Sequence, residues 1–287
     1  MPMRTVLLAA LCSVLLSLSP SLHAMSDADY MAAMAAMHHD DSPNASPVTY
    51  PAPAQPVSGS EVSYATVGGK PVKGYLVRPS AAKGPLPGII VVHEWWGLND
   101  NIKEMARQMA SEGYVVLAAD LYKGQVTTAS SQAQVLATGV KNNPGEAIKN
   151  LQAAVNYLRN SSSVDGKIGS LGWCFGGDWS LQLALNENKM DATGLYYGQP
   201  VTDPKALSVI KWPVLGIFGS ADQSIPVEKV NAFKQALDKD GIVNEIHVYN
   251  GVGHAFANPS GANYAPAETK DAWQKTLAFF DKHLKES

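Results

Sequence analysis

The sequence predicts an α/β fold, a mostly parallel sheet with helices on both faces. Three observations carry this. From about residue 61 onward, short apolar runs alternate with segments of helical periodicity, the order that generates parallel strands and crossover helices. One run, Gly88-Ile89-Ile90-Val91-Val92, is apolar without alternation, as a strand buried on both faces requires. A glycine-rich turn, Gly172-Trp173-Cys174-Phe175-Gly176-Gly177, links the apolar run ending at Leu171 to a helix-like segment from Trp179.

The elements follow in order. Residues 1–24 read as a cleavable signal peptide: Arg4 supplies the positive end, Val6 to Leu18 the apolar region, and Leu22-His23-Ala24 a small-residue cleavage site. At roughly 13 residues the apolar stretch is short for a span. The expectation is an exported, periplasmic protein with no membrane anchor after cleavage. Residues 25–60 read as a leader, extended where Ser, Pro and Ala dominate. Its Met31, Met34, Met37, His38, His39 and Asp40 could hold a soft metal such as copper. The plainer reading is a short amphipathic or disordered arm, and no metal or cofactor is assigned.

The folded domain is expected over residues 61–287. Glu61 to Val67 and Val72 to Val77 form a hairpin across Gly68-Gly69. Asn101 to Glu112 repeats apolar residues at Ile102, Met105, Ala106, Met109 and Ala110, a helix that Gly113 ends. Tyr114 to Ala119 is the next buried strand. Asn143-Pro144-Gly145-Glu146 is a helix start, with Pro at the first position and Glu three residues after the cap. Further strands are expected at Thr193 to Tyr197, Val214 to Phe218 and Glu245 to Tyr249. Helices are expected at Val227 to Leu237 and Glu268 to Leu284.

Composition narrows the function classes. With 46% hydrophobic and 16% charged residues and a net charge of −3, the chain has no basic patch for nucleic acid. Of two cysteines, Cys12 leaves with the signal peptide, so Cys174 has no partner for a disulfide within one chain. A lone thiol kept in an oxidising compartment points to chemistry.

The turn around Cys174 supplies that chemistry. A reactive side chain between glycines at a strand-to-helix junction is a nucleophile elbow. Glycine is needed where a Cβ would meet neighbouring backbone. The start of the following helix favours a thiolate. In open α/β sheets functional residues gather after the strands. There the sequence places His93-Glu94-Trp95-Trp96-Gly97, then Cys174, then Gly219-Ser220-Ala221-Asp222, then Gly251-Val252-Gly253-His254. Nucleophile, acid, histidine is the chain order of α/β-hydrolases. Among the histidines only His93 competes with His254, and it precedes the nucleophile.

The elbow, the stretch His93 to Asn99, Tyr197-Gly198 and Gly253-His254-Ala255-Phe256 together resemble the dienelactone hydrolase family of the α/β-hydrolase superfamily. The resemblance covers roughly Glu61 to the C-terminus. It implies Cys174 as nucleophile, Asp222 as acid and His254 as base, with Glu94 governing the thiol's ionisation. The implied substrate is a small-molecule carboxylic ester or lactone. No cofactor is expected, and the chain is expected to act as a monomer. Backbone N–H groups of Phe175 and Trp95 would form the oxyanion hole. Candidate pocket residues are Trp96, Trp173, Lys123, Tyr197 and Asn258.

One feature departs from the family. Arginines that would grip a substrate carboxylate are missing: Asn258 stands four residues after the histidine, and residues 121–143 contain no Arg. Two other readings therefore stay open, an esterase for a non-carboxylated acyl substrate and a periplasmic thiol- or metal-binding module without hydrolase activity.

Overall fold

A computed structural model describes residues 32–36, 38, 41, 43, 52–67 and 69–286. The expected signal peptide, Cys12 and the leader residues Met31, Met37, His39 and Asp40 lie outside them. Among the described residues no helix is long and apolar enough to cross a membrane.

Eight strands form one sheet: β1 (Val57–Val67), β2 (Lys70–Pro79), β3 (Leu86–Val92), β4 (Val115–Ala119), β5 (Val164–Trp173), β6 (Ala192–Tyr196), β7 (Val214–Gly219) and β8 (Asn244–Tyr249), in the order β1-β2-β4-β3-β5-β6-β7-β8. The β1–β2 hairpin and the β2–β4 pair are antiparallel, and every pair from β4 to β8 is parallel. The helices are α1 (Asp100–Ser111), α2 (Ser130–Lys141), α3 (Pro144–Arg159), α4 (Phe175–Asn186), α5 (Pro204–Leu207), α6 (Val227–Lys239) and α7 (Pro266–Phe280), closed by a π-helical turn at Asp281–Lys285. Residues 32–36 make a further helical turn.

Strands β3, β4 and β7 are apolar throughout because both faces are covered. Every residue of β4, β6 and β7 is buried. Helix α1 shows why periodicity suffices to find a helix. Ile102, Met105, Ala106, Met109 and Ala110 are buried, and the Asn99 side chain caps the start by accepting from Ile102 N–H at 3.1 Å. Helix α2 is absent from the sequence reading for a physical reason: it buries only Ala133 and Ala137, too narrow a stripe to register as periodic. The hairpin begins at Val57, before the expected Glu61, because Val57 to Ser60 continue the antiparallel register against Pro79 to Leu76.

Parallel strands ending at one edge of the sheet bring the loops after β3, β4, β5, β6, β7 and β8 together. The leader reaches the same edge. Met34 is 2% exposed within the main hydrophobic cluster, and Asp41 Oδ1 accepts from Ala262 N–H at 2.8 Å in the loop after β8.

Candidate active site

Cys174 sits between β5 and α4 with φ 54° and ψ −120°, a left-handed conformation that costs a non-glycine residue of order 1–3 kcal/mol. The surroundings enforce it. A Cβ at Gly172 would run into the carbonyl of Gly176, and one at Gly176 into the carbonyls of Val92 and His93. Both glycines allow the elbow to close onto the end of β3. The strain aims the thiol over the sheet edge, where Phe175 N–H hydrogen-bonds to it.

His254 and Asp222 arrive from the loops after β8 and β7. His254 Nδ1–H donates to Asp222 Oδ2 at 2.7 Å, which leaves Nε2 as the ring's acceptor. The other carboxylate oxygen accepts from Ser224 N–H at 2.9 Å, Ser224 Oγ–H at 2.7 Å and Ile225 N–H at 3.1 Å, so Asp222 is fixed. Burial works to raise the Asp222 carboxyl. The imidazole and these hydrogen bonds outweigh it and hold the group below its ordinary value. The Tyr197 ring lies 5.1 Å from His254. One donor atom of Cys174 and one of His254 lie within 4.8 Å of each other, yet His254 Nε2 has no hydrogen-bond partner among the described residues.

The thiol's environment corrects one expectation. Burial pushes the Cys174 thiol well up, and Glu94, Asp178 and Asp222 add to the shift, while the Phe175 N–H opposes it. The resting form is a neutral thiol, because burial, reinforced by the acidic groups around it, outweighs the helix start. Glu94 itself is 4% exposed, and burial, with Asp41 second, raises its carboxyl to about 8.

Asn258 is not free to meet a substrate. Its Nδ2–H donates to Glu94 Oε2 at 2.7 Å, and its Oδ1 accepts from Asn101 Nδ2–H at 3.2 Å, Ser260 N–H at 2.9 Å and Ser260 Oγ–H at 2.8 Å. His93 is structural. Its Nε2 accepts from Leu121 N–H at 3.1 Å, so Nδ1–H donates to the Glu94 carbonyl at 2.6 Å. That ring ties the loop after β3 to the loop after β4 and leaves no nitrogen for catalysis.

Trp95 and Trp96 pack together at 4.9 Å beside the site. Two other candidates lie elsewhere. Lys123 forms an exposed ion pair with Glu146 at 2.5 Å. Trp173 packs against Tyr196, ring centroids 5.6 Å apart and tilted by 40°, and lines a separate, mainly apolar cavity of about 360 Å³ with Met105, Tyr264 and Trp273. Successive residues of a strand face opposite sides, so Trp173 and Cys174 diverge.

Two residues at the site, Tyr122 and Asp41, escaped the sequence reading, and a third, His38, was read there only as part of a leader that could hold a soft metal. The Tyr122 hydroxyl is buried with no partner among the described residues, its ring 5.4 Å from Phe175, and the Cys174 charge raises its pKa after burial. The same rule of looking after each strand, applied to β4, would have found it. His38 and Asp41 come from the leader. His38 is 3% exposed, its ring 5.0 Å from Trp95, 6.0 Å from Trp96 and 5.6 Å from His254. It closes the site. Cavities of about 360, 720 and 200 Å³ are all lined without Cys174 or His254.

Comparison with known proteins bears on family and fold. The family model for the dienelactone hydrolase family matches residues 72–284. Protein usf of Aquifex pyrophilus is 33% identical over 223 residues, covering 75% of this chain and 95% of its own. An Aquifex aeolicus protein named as a carboxymethylenebutenolidase is 32% identical over 224 residues, 76% of this chain and 96% of its own. A Klebsiella pneumoniae crystal structure described as a dienelactone hydrolase superposes with a TM-score of 0.71 at 28% identity, covering 79% of this chain and all of that one. A mostly parallel eight-stranded sheet, an elbow between glycines and these similarities lead to one conclusion: the chain is a hydrolase with the α/β-hydrolase fold and belongs to the dienelactone hydrolase family.

Proposed function

We propose that this chain hydrolyses small carboxylic esters or lactones through Cys174, His254 and Asp222 by way of a thioester acyl-enzyme. The observation that carries the reading is the convergence of a strained elbow cysteine and a buried carboxylate–imidazole pair at one sheet edge. His254 Nε2 takes the thiol proton as Sγ attacks the carbonyl carbon. Asp222 keeps the proton on Nδ1 and stabilises the imidazolium that forms. The developing oxyanion rests on Phe175 N–H and on the Trp95 N–H. His254 then protonates the leaving alkoxide. A water, deprotonated by His254, releases the acid and restores the thiol.

Glu94 governs how readily the thiol ionises. Held protonated by burial, it places no charge beside the sulfur, whereas its carboxylate would oppose the thiolate. Asn258, committed to Glu94, supplies no cation for a substrate carboxylate, which favours neutral esters and lactones. Because His38 fills the site, the leader must move before substrate enters. We further propose that residues 1–24 are a cleaved export signal, that the mature enzyme is periplasmic with no membrane anchor, and that it acts as a monomer.

The test is a comparison of kcat/KM for p-nitrophenyl acetate, a neutral lactone and a carboxylated lactone, for the parent chain and Cys174→Ala. Neutral substrates are expected to lead, and the substitution to abolish turnover of all three. Preferred turnover of the carboxylated lactone would remove the specificity reading, and turnover by Cys174→Ala would remove the nucleophile.

A further inference from the structure

The hydrolytic cycle has no use for His38 and Asp41, yet they are built like the catalytic pair. His38 Nδ1–H donates to Asp41 Oδ2 at 2.5 Å, as His254 Nδ1–H donates to Asp222 Oδ2 at 2.7 Å. Asp41 is fixed in turn by Ala262 N–H at 2.8 Å. The free nitrogen is Nε2 in both rings. Both Nε2 atoms are buried and have no hydrogen-bond partner among the described residues. His38 and His254 are 3% and 1% exposed, so water does not serve them from bulk. One donor atom from each of His38, Cys174 and His254 lies within 4.8 Å of the other two.

Two carboxylate–histidine pairs converging on one sulfur is the arrangement of a metal site. A ligating histidine nearly always gives its second N–H to a carboxylate, which fixes the ring and raises the basicity of the ligating nitrogen. Two imidazole nitrogens and a thiolate suit a borderline-soft ion, and exclude the hard cations that need oxygen donors. We propose that His38, Cys174 and His254 form a three-ligand site for zinc, in which the leader supplies the third ligand and the ion reversibly silences the nucleophile.

Zinc bonds of about 2.0–2.1 Å to nitrogen and about 2.3 Å to sulfur put ligand atoms of a tetrahedral site roughly 3.3–3.6 Å apart. The three donors must draw in by no more than about 1.5 Å, within the reach of side-chain rotation. Binding converts Cys174–SH to a zinc thiolate and releases one proton to solvent, with both imidazoles remaining neutral. The fourth position is left for water. Bound zinc occupies the sulfur and the base together, so hydrolysis stops until a chelator removes it. The site itself stands independently of the hydrolase reading; only the silencing rests on it.

The experiment uses the purified full chain, stripped of metal and with Cys174 shown to be reduced. Zinc binding is followed by calorimetry, and Co²⁺ is added as a spectroscopic probe. The expected result is one ion per chain and a thiolate-to-cobalt charge-transfer band. Asp41→Asn is expected to weaken zinc by about 10–100-fold. His38→Asn, which keeps a side chain able to hydrogen-bond Asp41 but removes the metal donor, should weaken it more. His38→Cys restores a soft donor and should recover binding, and His39→Ala should leave it unchanged. Unaltered affinity in His38→Asn, or a loss in His39→Ala equal to that in His38→Asn, would overturn the site. So would the absence of the charge-transfer band. In ester assays zinc should inhibit the parent chain at concentrations that leave His38→Asn active. A chain that binds zinc as described but turns over no ester in metal-free buffer would retain the site and lose the hydrolase reading. A chain that turns over ester but binds no zinc would do the reverse.

Discussion

Replacing Glu94 by glutamine tests the electrostatics of the site where the effect is largest. Glu94 is buried, accepts from Asn258 Nδ2–H, and is raised from 4.5 to about 8, first by burial and then by Asp41. At about 1.4 kcal/mol per pH unit, that interval makes ionising Glu94 in the fold cost about 5 kcal/mol. Between pH 4.5 and about 8 the native state keeps a proton that the unfolded chain has lost, so stability falls as pH rises through that window. The contribution is complete below the unfolded value and gone above the folded one. Glutamine keeps the volume and an acceptor for Asn258 but does not titrate. The stability of the parent relative to Glu94→Gln should therefore fall by about 3 kcal/mol from pH 4.5 to pH 7, and by about 4 kcal/mol by pH 9. Urea unfolding of both proteins at pH 5, 6, 7, 8 and 9 measures this, and the difference curve cancels every other titrating group. A difference that stays constant with pH would mean that Glu94 is already ionised, and the reasoning about a neutral carboxyl beside Cys174 would fail.

Other predictions follow from the same geometry. Gly172→Ala puts a methyl into the Gly176 carbonyl and should cost about 4 kcal/mol or more of stability, read from the urea midpoint, with activity lost at temperatures where the chain is still folded. Asp222→Asn removes the group that fixes the His254 tautomer and should lower kcat by about 10³–10⁴-fold while circular dichroism is unchanged. Met34→Ala weakens the leader's hold on the core by about 2–4 kcal/mol. In metal-free buffer, kcat/KM for an aryl ester should then rise by about tenfold or more as the open form gains population. Because Cys174 rests as a thiol, its alkylation by iodoacetamide should be slow at pH 7 and quicken as pH rises; a fast rate that does not change with pH would contradict the neutral resting form.

Much of the fold was legible because its signals are short-range. Continuous apolar strands such as Gly88 to Val92 and the stripe of α1 declare themselves in a few residues, and the strand-end rule places Glu94, Asp222 and His254 without coordinates. Helix α2 was hidden because two alanines suffice to seat it. The site's electrostatics were hidden for a different reason. A helix start beside a cysteine suggests a thiolate, but only the assembled edge shows Glu94, Asp178 and Asp222 around a dry sulfur. Asn258 reads as a lost arginine in sequence; the structure gives it to Glu94. The leader's Met34 and His38 look like parts of a short amphipathic or disordered arm because their partners, the core cluster and the rings of Trp95 and His254, lie far along the chain.

The claim on which the rest depends is that Cys174 is the nucleophile. Its most direct test is intact-mass and peptide mass spectrometry after brief mixing of the metal-free chain with p-nitrophenyl acetate and acid quenching. The structure predicts one acetyl group, on Cys174, formed at the rate of the nitrophenol burst in the parent and absent from His254→Ala on that time scale. An acetyl group on a serine, tyrosine or lysine with turnover intact, or full turnover after Cys174 has been blocked by alkylation, would contradict it.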